Sequence, residues 1–207
     1  MGLLGLLLKN PVAFFIIAIP LLYAIIFHEL AHGWMAYRFG DPTAKMMGRL
    51  SLNPLKHLDP IGTTMLFLFG FGWAKPVPVN LNNIQDKKKG MLLVASAGII
   101  ANMILAFIAL LLNHLISPGE SSILGTALYF MAHINIILAA FNLIPLPPLD
   151  GSKIVMYLAP ANVRNLFLRI EPYGFFIIIG LLYLGALNPV IDFFQWMIVS
   201  VISLLLP

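Results

Sequence analysis

The stretch FHELAHGW places His28, Glu29 and His32 inside a run that is otherwise apolar. Histidines four residues apart lie on one face of a helix, about a turn from each other, and so offer two imidazole nitrogens to one tetrahedral metal ion. Glu29 follows the first of them and stands beside such a metal rather than on it. From there it can take a proton from an attacking water and carry it to a leaving amine. The alternative is a set of core polar groups satisfied by one another or by backbone. Ionisable residues at membrane depth are functional by default, however, and HExxH arises by chance on the order of once in several hundred chains of this composition. The motif therefore reads as a site for one Zn2+ per chain, with His28 and His32 as ligands and Glu29 as the acid/base.

Catalytic zinc usually keeps three protein ligands and one open position, and a chain without cysteine must supply the third from His, Asp or Glu. Candidates elsewhere in the chain are His57, His114, His133, Asp59, Glu120, Asp150, Glu171 and Asp192. His28 lies about 17 residues beyond Pro11, roughly 25 Å along a helix, and hence near one end of its span. Asp150 falls at the same end, just past the third apolar segment in FNLIPLPPLDG, where Pro145, Pro147 and Pro148 forbid a regular helix. Irregular backbone at membrane depth persists only where it is buried in protein or lines a wet cavity. An Asp-Gly pair alone marks a turn; beside a motif short of one ligand, Asp150 is the expected third. Asn142 either makes an interhelical hydrogen bond or donates to a substrate carbonyl or its oxyanion. Asn102, in SAGIIANM, reads as a packing residue among Ser96, Ala97, Gly98 and Ala101. His57 and Asp59 read as parts of a turn, with a metal or gating role the less favoured assignment.

Elements that could hold these residues must sit in a bilayer. The chain has 207 residues, 60% of them hydrophobic and 10% charged, with a mean hydropathy of +0.95, whereas soluble domains run nearer half apolar and a quarter charged. A single integral-membrane domain, 1–207, is expected, since no polar stretch is long enough for a separate soluble module. The net charge of +4 comes without a basic stripe interleaved with aromatics, which excludes nucleic acid as partner. The N-terminus lacks the charged start and small-residue cleavage site of a signal peptide and reads as retained.

Apolar segments long enough to cross run from Pro11 to about Tyr37, Met91 to Leu112 and Ser122 to Ile144, with Tyr173 to Leu206 a pair broken near Asn188-Pro189. Ile61 to Trp73 is only about 13 residues, with Gly62, Gly70 and Gly72, and is too short to span. Basic residues Arg38, Lys45, Arg49 and Lys56 precede it, and Lys75 and Lys87 to Lys89 follow it, so both loops face the cytoplasm if this piece dips in and returns. The loop from His114 to Ser121 carries no Lys or Arg and falls outside; Lys153, Arg164 and Arg169 fall inside, and Lys9 is the one lysine placed outside. The expectation is an all-α polytopic membrane protein of about five to six hydrophobic helices, with a short re-entrant or β-like segment around residues 61–80. Within that segment WAKPVPVN is either a loop anchored at the headgroups by Trp73 and Lys75 or an edge strand able to pair with an unwound peptide.

Taken together, FHELAHGW, GWAKPVPVN and NLIPLPPLDG resemble the site-2 protease family of intramembrane zinc metalloproteases. The resemblance covers the greater part of the chain and is closest to the compact prokaryotic branch without a PDZ domain. It implies zinc held by His28, His32 and Asp150, Glu29 as catalytic acid/base and Asn142 assisting the substrate. It also implies that Lys75, Pro76, Val77, Pro78, Val79 and Asn80 engage unwound substrate as a strand. The reaction implied is hydrolysis of peptide bonds in or near transmembrane segments, close to the cytoplasmic face of the cell membrane, as in regulated intramembrane proteolysis. One departure is Gly98-Ile99, where many members have Gly-Pro. The competing function, a metal transporter or non-proteolytic scaffold, calls for ligands spread through the bilayer depth and often for internal repeats, and the sequence shows neither.

Overall fold

A computed structural model describes residues 3–70, 72–119 and 122–207. Helix α1 (Leu3–Lys9) leads into α2 (Pro11–Arg38), which starts where Asn10 accepts the Ala13 N–H at 3.1 Å and Pro11 takes a position needing no donor. The HExxH motif thus sits in the second half of a 28-residue helix. A short α3 (Thr43–Met46) and α4 (Pro60–Phe69) follow, then α5 (Lys87–Ile116) and α6 (Ile123–Leu143). Beyond the proline-rich turn lie α7 (Asp150–Leu158), α8 (Ala161–Ile170), α9 (Gly174–Tyr183) and α10 (Asn188–Ser203).

The core is the packing of α2, α5 and α6, with α7 laid against α5 and α10 against α6. Its buried residues are mostly small: Ala106 and Ala109 on α5, and Ala132, Ala139 and Ala140 on α6. In lipid there is no hydrophobic gain from bringing apolar helices together, so close backbone approach and interhelical hydrogen bonds do the holding. Ile99, Ile136, Ile198 and Ile202 fill what the small residues leave.

Among the described residues, four helical stretches are long and apolar enough to cross a membrane: α2, α5, α6 and the run Ala161–Tyr183. This is a multi-pass, all-α membrane protein. The fourth stretch starts earlier than the expected Tyr173 because a 3-10 turn at Glu171–Tyr173 joins amphipathic α8 to α9. Helix α10 begins at the expected Asn188 but has 16 residues, short of the roughly 20 that a perpendicular crossing needs.

Helix α4 has ten residues, or about 15 Å. Asp59 caps it by accepting the Gly62 N–H at 2.8 Å, and Gly70 ends it at φ 81°, a left-handed conformation that glycine adopts without strain. The chain then doubles back, since Leu58 and Ala74 form an isolated antiparallel bridge and Lys75 N–H donates to the His57 carbonyl at 2.8 Å. The return lies directly on α4: a Cβ at Gly62 would stand 2.2 Å from the Trp73 carbonyl oxygen. From Lys75 to Asn80 the backbone forms neither helix nor strand. Glu120, one of the candidate ligands, lies outside the described residues.

Candidate metal centre

His28 and His32 meet as their spacing requires, with Nε2 atoms 3.0 Å apart. Asp150, the first residue of α7, brings its Oδ2 to 3.1 Å from His28 Nε2 and 2.9 Å from His32 Nε2. The proline turn is pinned at both sides by glycine. A Cβ at Gly151 would fall 2.3 Å from the Leu143 carbonyl oxygen, and one at Gly174 would fall 2.1 Å from that of Pro147. Any side chain at 151 would push the start of α7, and Asp150 with it, off the end of α6. The glycine of LDG is therefore a packing requirement for a side chain that must reach α2.

Hydrogen bonds around the three groups decide where their protons are. His32 Nδ1 lies 2.7 Å from the Val94 carbonyl oxygen, which can only accept, so Nδ1 carries the proton. Asn102 directs its Nδ2 to the Ala24 carbonyl at 3.1 Å, which turns its Oδ1 towards His28 Nδ1 at 2.7 Å. His28 is protonated on Nδ1 as well. As neutral imidazoles, the form that binds a metal, both present Nε2 lone pairs to each other and to Asp150 Oδ2, a buried atom that finds no hydrogen-bond donor among the described residues. Three acceptors converging at about 3 Å repel unless a cation sits between them. Ligand atoms of tetrahedral zinc stand roughly 3.3 Å apart at bond lengths near 2.0 Å, so the observed separations of 2.9 to 3.1 Å fit within a few tenths of an ångström. The donor set, two neutral imidazoles and a carboxylate, suits zinc.

A cavity of about 490 Å³ opens beside these atoms, and Glu29 and Asn142 line it together with the three candidate ligands. Asn142 commits one amide hydrogen to the Leu138 carbonyl at 2.9 Å. Of the segment expected to engage substrate, Pro76, Val77 and Val79 border the cavity; Lys75, Pro78 and Asn80 do not. The Val77 N–H donates to Glu29 Oε2 at 2.8 Å, joining that segment to the expected acid/base.

Two residues that sequence reasoning left unassigned hold the segment. Arg49, only 7% exposed, donates through Nη2 to the carbonyls of Lys75 (2.7 Å) and Pro76 (3.1 Å). Asp41, wholly buried, accepts from Asn80 N–H at 2.7 Å, Asn83 Nδ2 at 3.0 Å, and the N–H and hydroxyl of Thr43. Burial alone would push the Asp41 carboxyl up, but these donors outweigh it and hold it below the usual carboxylate range. Asn102, expected to serve packing, is a direct partner of His28. His57 and Asp59 keep the structural roles expected of them: the His57 Nε2–H donates to the Ser51 carbonyl at 2.7 Å and Asp59 caps α4.

A polytopic helical bundle with a three-ligand cation site and a carboxylate beside it is the architecture of a membrane metalloprotease. The model of "Peptidase family M50" matches residues 119–185. "Putative zinc metalloprotease YwhC" of Bacillus subtilis is 44% identical over 172 residues, 80% of this chain and 78% of YwhC. "Putative zinc metalloprotease Rip2" of Mycolicibacterium smegmatis is 30% identical over 174 residues, 81% of this chain and 66% of Rip2. A third relative, "Putative zinc metalloprotease MJ0611" of Methanocaldococcus jannaschii, is 31% identical over 134 residues, 64% of each chain. No solved structure gives a significant match. The chain belongs to peptidase family M50, the site-2 proteases, and is a zinc-dependent hydrolase.

Proposed function

We propose that the 207 residues form one membrane domain that hydrolyses peptide bonds within or beside transmembrane segments of membrane proteins, close to the cytoplasmic face of the cell membrane. His28, His32 and Asp150 hold the zinc, which when bound supplies Lewis acidity to the reaction. The observation that carries this reading is the convergence of two imidazole lone pairs and an unpartnered carboxylate oxygen within about 3 Å, next to Glu29.

Glu29 is held through Oε2 by Val77, which leaves Oε1 free to accept a proton from the attacking water and return it to the amine as the C–N bond breaks. The amide hydrogen of Asn142 not used by Leu138 is available to the scissile carbonyl as negative charge develops on it. Ligands gathered at one place, rather than spread through the bilayer, fit hydrolysis and not passage of an ion.

A substrate helix hides its carbonyls in internal hydrogen bonds and must unwind before it is cut. The segment Lys75–Asn80 offers replacements. Pro76 and Pro78 have no N–H, Arg49 occupies the carbonyls of Lys75 and Pro76, and Asp41 occupies Asn80 N–H. Val79 N–H and the carbonyls of Val77 and Val79 make no hydrogen bond among the described residues. The Val77–Val79 stretch beside Glu29 is thus left with groups to receive an extended peptide. Helix α4 and its return form the re-entrant piece that brings this edge to the site, because a ten-residue helix whose flanks meet at Leu58 and Ala74 starts and ends on one side. Arg38, Lys45, Lys56 and Lys87 to Lys89 then share that side, which the positive-inside rule makes cytoplasmic.

The test is Glu29→Gln in proteoliposomes containing a single-span membrane protein that wild-type enzyme cuts. Zinc stays bound at wild-type stoichiometry while cleavage is abolished. Cleavage at the wild-type rate would remove Glu29 from the mechanism. In cells that carry Glu29→Gln in place of the wild-type protein, the membrane spans that accumulate intact name the substrates.

A further inference from the structure

A chain of amides leads from the metal centre across two helices. His28 Nδ1 meets Asn102 Oδ1 on α5 at 2.7 Å, Asn102 Nδ2 donates to Asn135 Oδ1 on α6 at 2.8 Å, and Asn135 Nδ2 donates to the Met131 carbonyl at 2.7 Å. Both asparagines have no exposed surface. In an apolar bundle each buried amide is costly unless every partner is met.

The two ends of an amide are alike in shape and opposite in hydrogen bonding, so partners decide which end faces which way. Met131 O only accepts, so Asn135 gives it the amide nitrogen and turns its oxygen to Asn102. Ala24 O likewise only accepts, at 3.1 Å from Asn102 Nδ2. With both amide hydrogens of Asn102 committed, its oxygen must face His28. A flipped Asn102 would oppose N–H to N–H at His28 and oxygen to oxygen at both Ala24 and Asn135.

We infer that Asn135 is a positioning residue of the metal centre: acting through Asn102, it fixes the tautomer and ring orientation of His28 and thereby raises zinc affinity. The inference rests on the reading of His28, His32 and Asp150 as the zinc site. Partners that orient a metal-bound imidazole typically contribute 10–100-fold in metal affinity. Asn135 stands one step further out, and in its absence Ala24 still holds one hydrogen of Asn102, so its share is smaller. If the asparagine pair served only to join α5 to α6, its loss would lower stability and leave metal affinity alone.

The experiment measures zinc affinity in detergent-solubilised full-length protein by competition with a chromophoric chelator, alongside thermal unfolding of the zinc-free form. Asn102→Leu weakens zinc binding by about 10–100-fold, and Asn135→Leu by about two- to tenfold, as loss of one orienting hydrogen bond predicts. Asn135→Asp, which as a neutral acid still accepts from Asn102 and donates to Met131, binds zinc within about twofold of wild type. The double variant Asn102→Leu/Asn135→Leu binds no more weakly than Asn102→Leu alone, because Asn135 acts only through Asn102. Wild-type affinity in Asn135→Leu, or losses that multiply in the double variant, would overturn the relay while leaving the site intact. Wild-type protein that binds no zinc would overturn the relay and the site together.

Discussion

Gly98 is where α5 lies against both imidazoles, and alanine there is the sharpest probe of the site. An added Cβ would stand 2.5 Å from His28 Cε1, 2.5 Å from His32 Nε2 and 2.6 Å from His28 Nδ1. Ordinary contact begins near 3.4 Å, so each ring must retreat by about 0.9 Å (3.4 minus 2.5). Neither ring is free to do so, because His28 is bonded to Asn102 and His32 to Val94. If α5 moves instead, it carries Asn102 and Val94 away from the same rings. Metal sites tolerate ligand displacements of about 0.2 Å, so either adjustment breaks the coordination. The helix itself gains, since alanine is favoured over glycine in a helix interior by about 1 kcal/mol. Gly98→Ala should therefore purify with wild-type helical content by circular dichroism, carry little or no zinc by elemental analysis, and fail to cleave. A variant that holds one zinc at wild-type affinity and still cuts would refute the packing argument.

Asp150→Asn should lose zinc as well, by replacing an anionic ligand with a neutral amide, and the same elemental analysis reads it. Chelation of wild-type protein should abolish cleavage and lower the unfolding temperature, both restored by added zinc; at 100 times its Kd a ligand stabilises by about 2.7 kcal/mol. Arg49→Met should keep zinc and lower kcat/KM by about tenfold or more, since each hydrogen bond from a charged donor is worth about 1.5–3 kcal/mol; equal loss of zinc would contradict its assignment to the Lys75–Asn80 segment. Asp41, depressed in the fold, contributes stability that is complete above the ordinary carboxyl value near 3.8 and fades as pH falls below it. Asp41→Asn should thus be less stable than wild type at neutral pH, with the gap in unfolding temperature closing below about pH 4.

The HExxH motif was legible because its chemistry is local: two imidazoles and a carboxylate within five residues can act together only if helical, and α2 is helical. Asp150 was legible for another reason, since a chain without cysteine has few ligands and the proline run placed one at the right end. Asn102 was missed because its partner lies 74 residues away and nothing in SAGIIANM separates a hydrogen bond to a ligand from one between helices. Arg49 and Asp41 were missed because they grip backbone groups of an irregular segment, and such a segment has no periodicity to read. The end of the chain divides differently from the expected pair: arginines in α8 mask a helical run that continues through α9, and α10 is shorter than its apolar sequence suggested.

Hydrolysis inside a bilayer sets two demands that the cavity meets with different elements. Its wall near the metal centre is apolar, made by Met91, Val94 and Ala95 of α5. The lining also carries Lys153, Arg164 and Glu171, from α7, α8 and the turn after it, and Lys153 Nζ donates to Asp150 Oδ1 at 3.2 Å. An apolar wall suits the side chains of a membrane-derived peptide, whereas charged groups in the same lining favour water within reach. Helix α8 has no buried residue, so little packing must be broken to widen the cavity on that side. The buried oxygen of Asp150 and the two imidazole lone pairs would be a liability in a purely structural core, where three unmatched acceptors only cost stability. On the proposed reading they would hold a divalent cation beside the apolar wall, where an unwound peptide and water would meet.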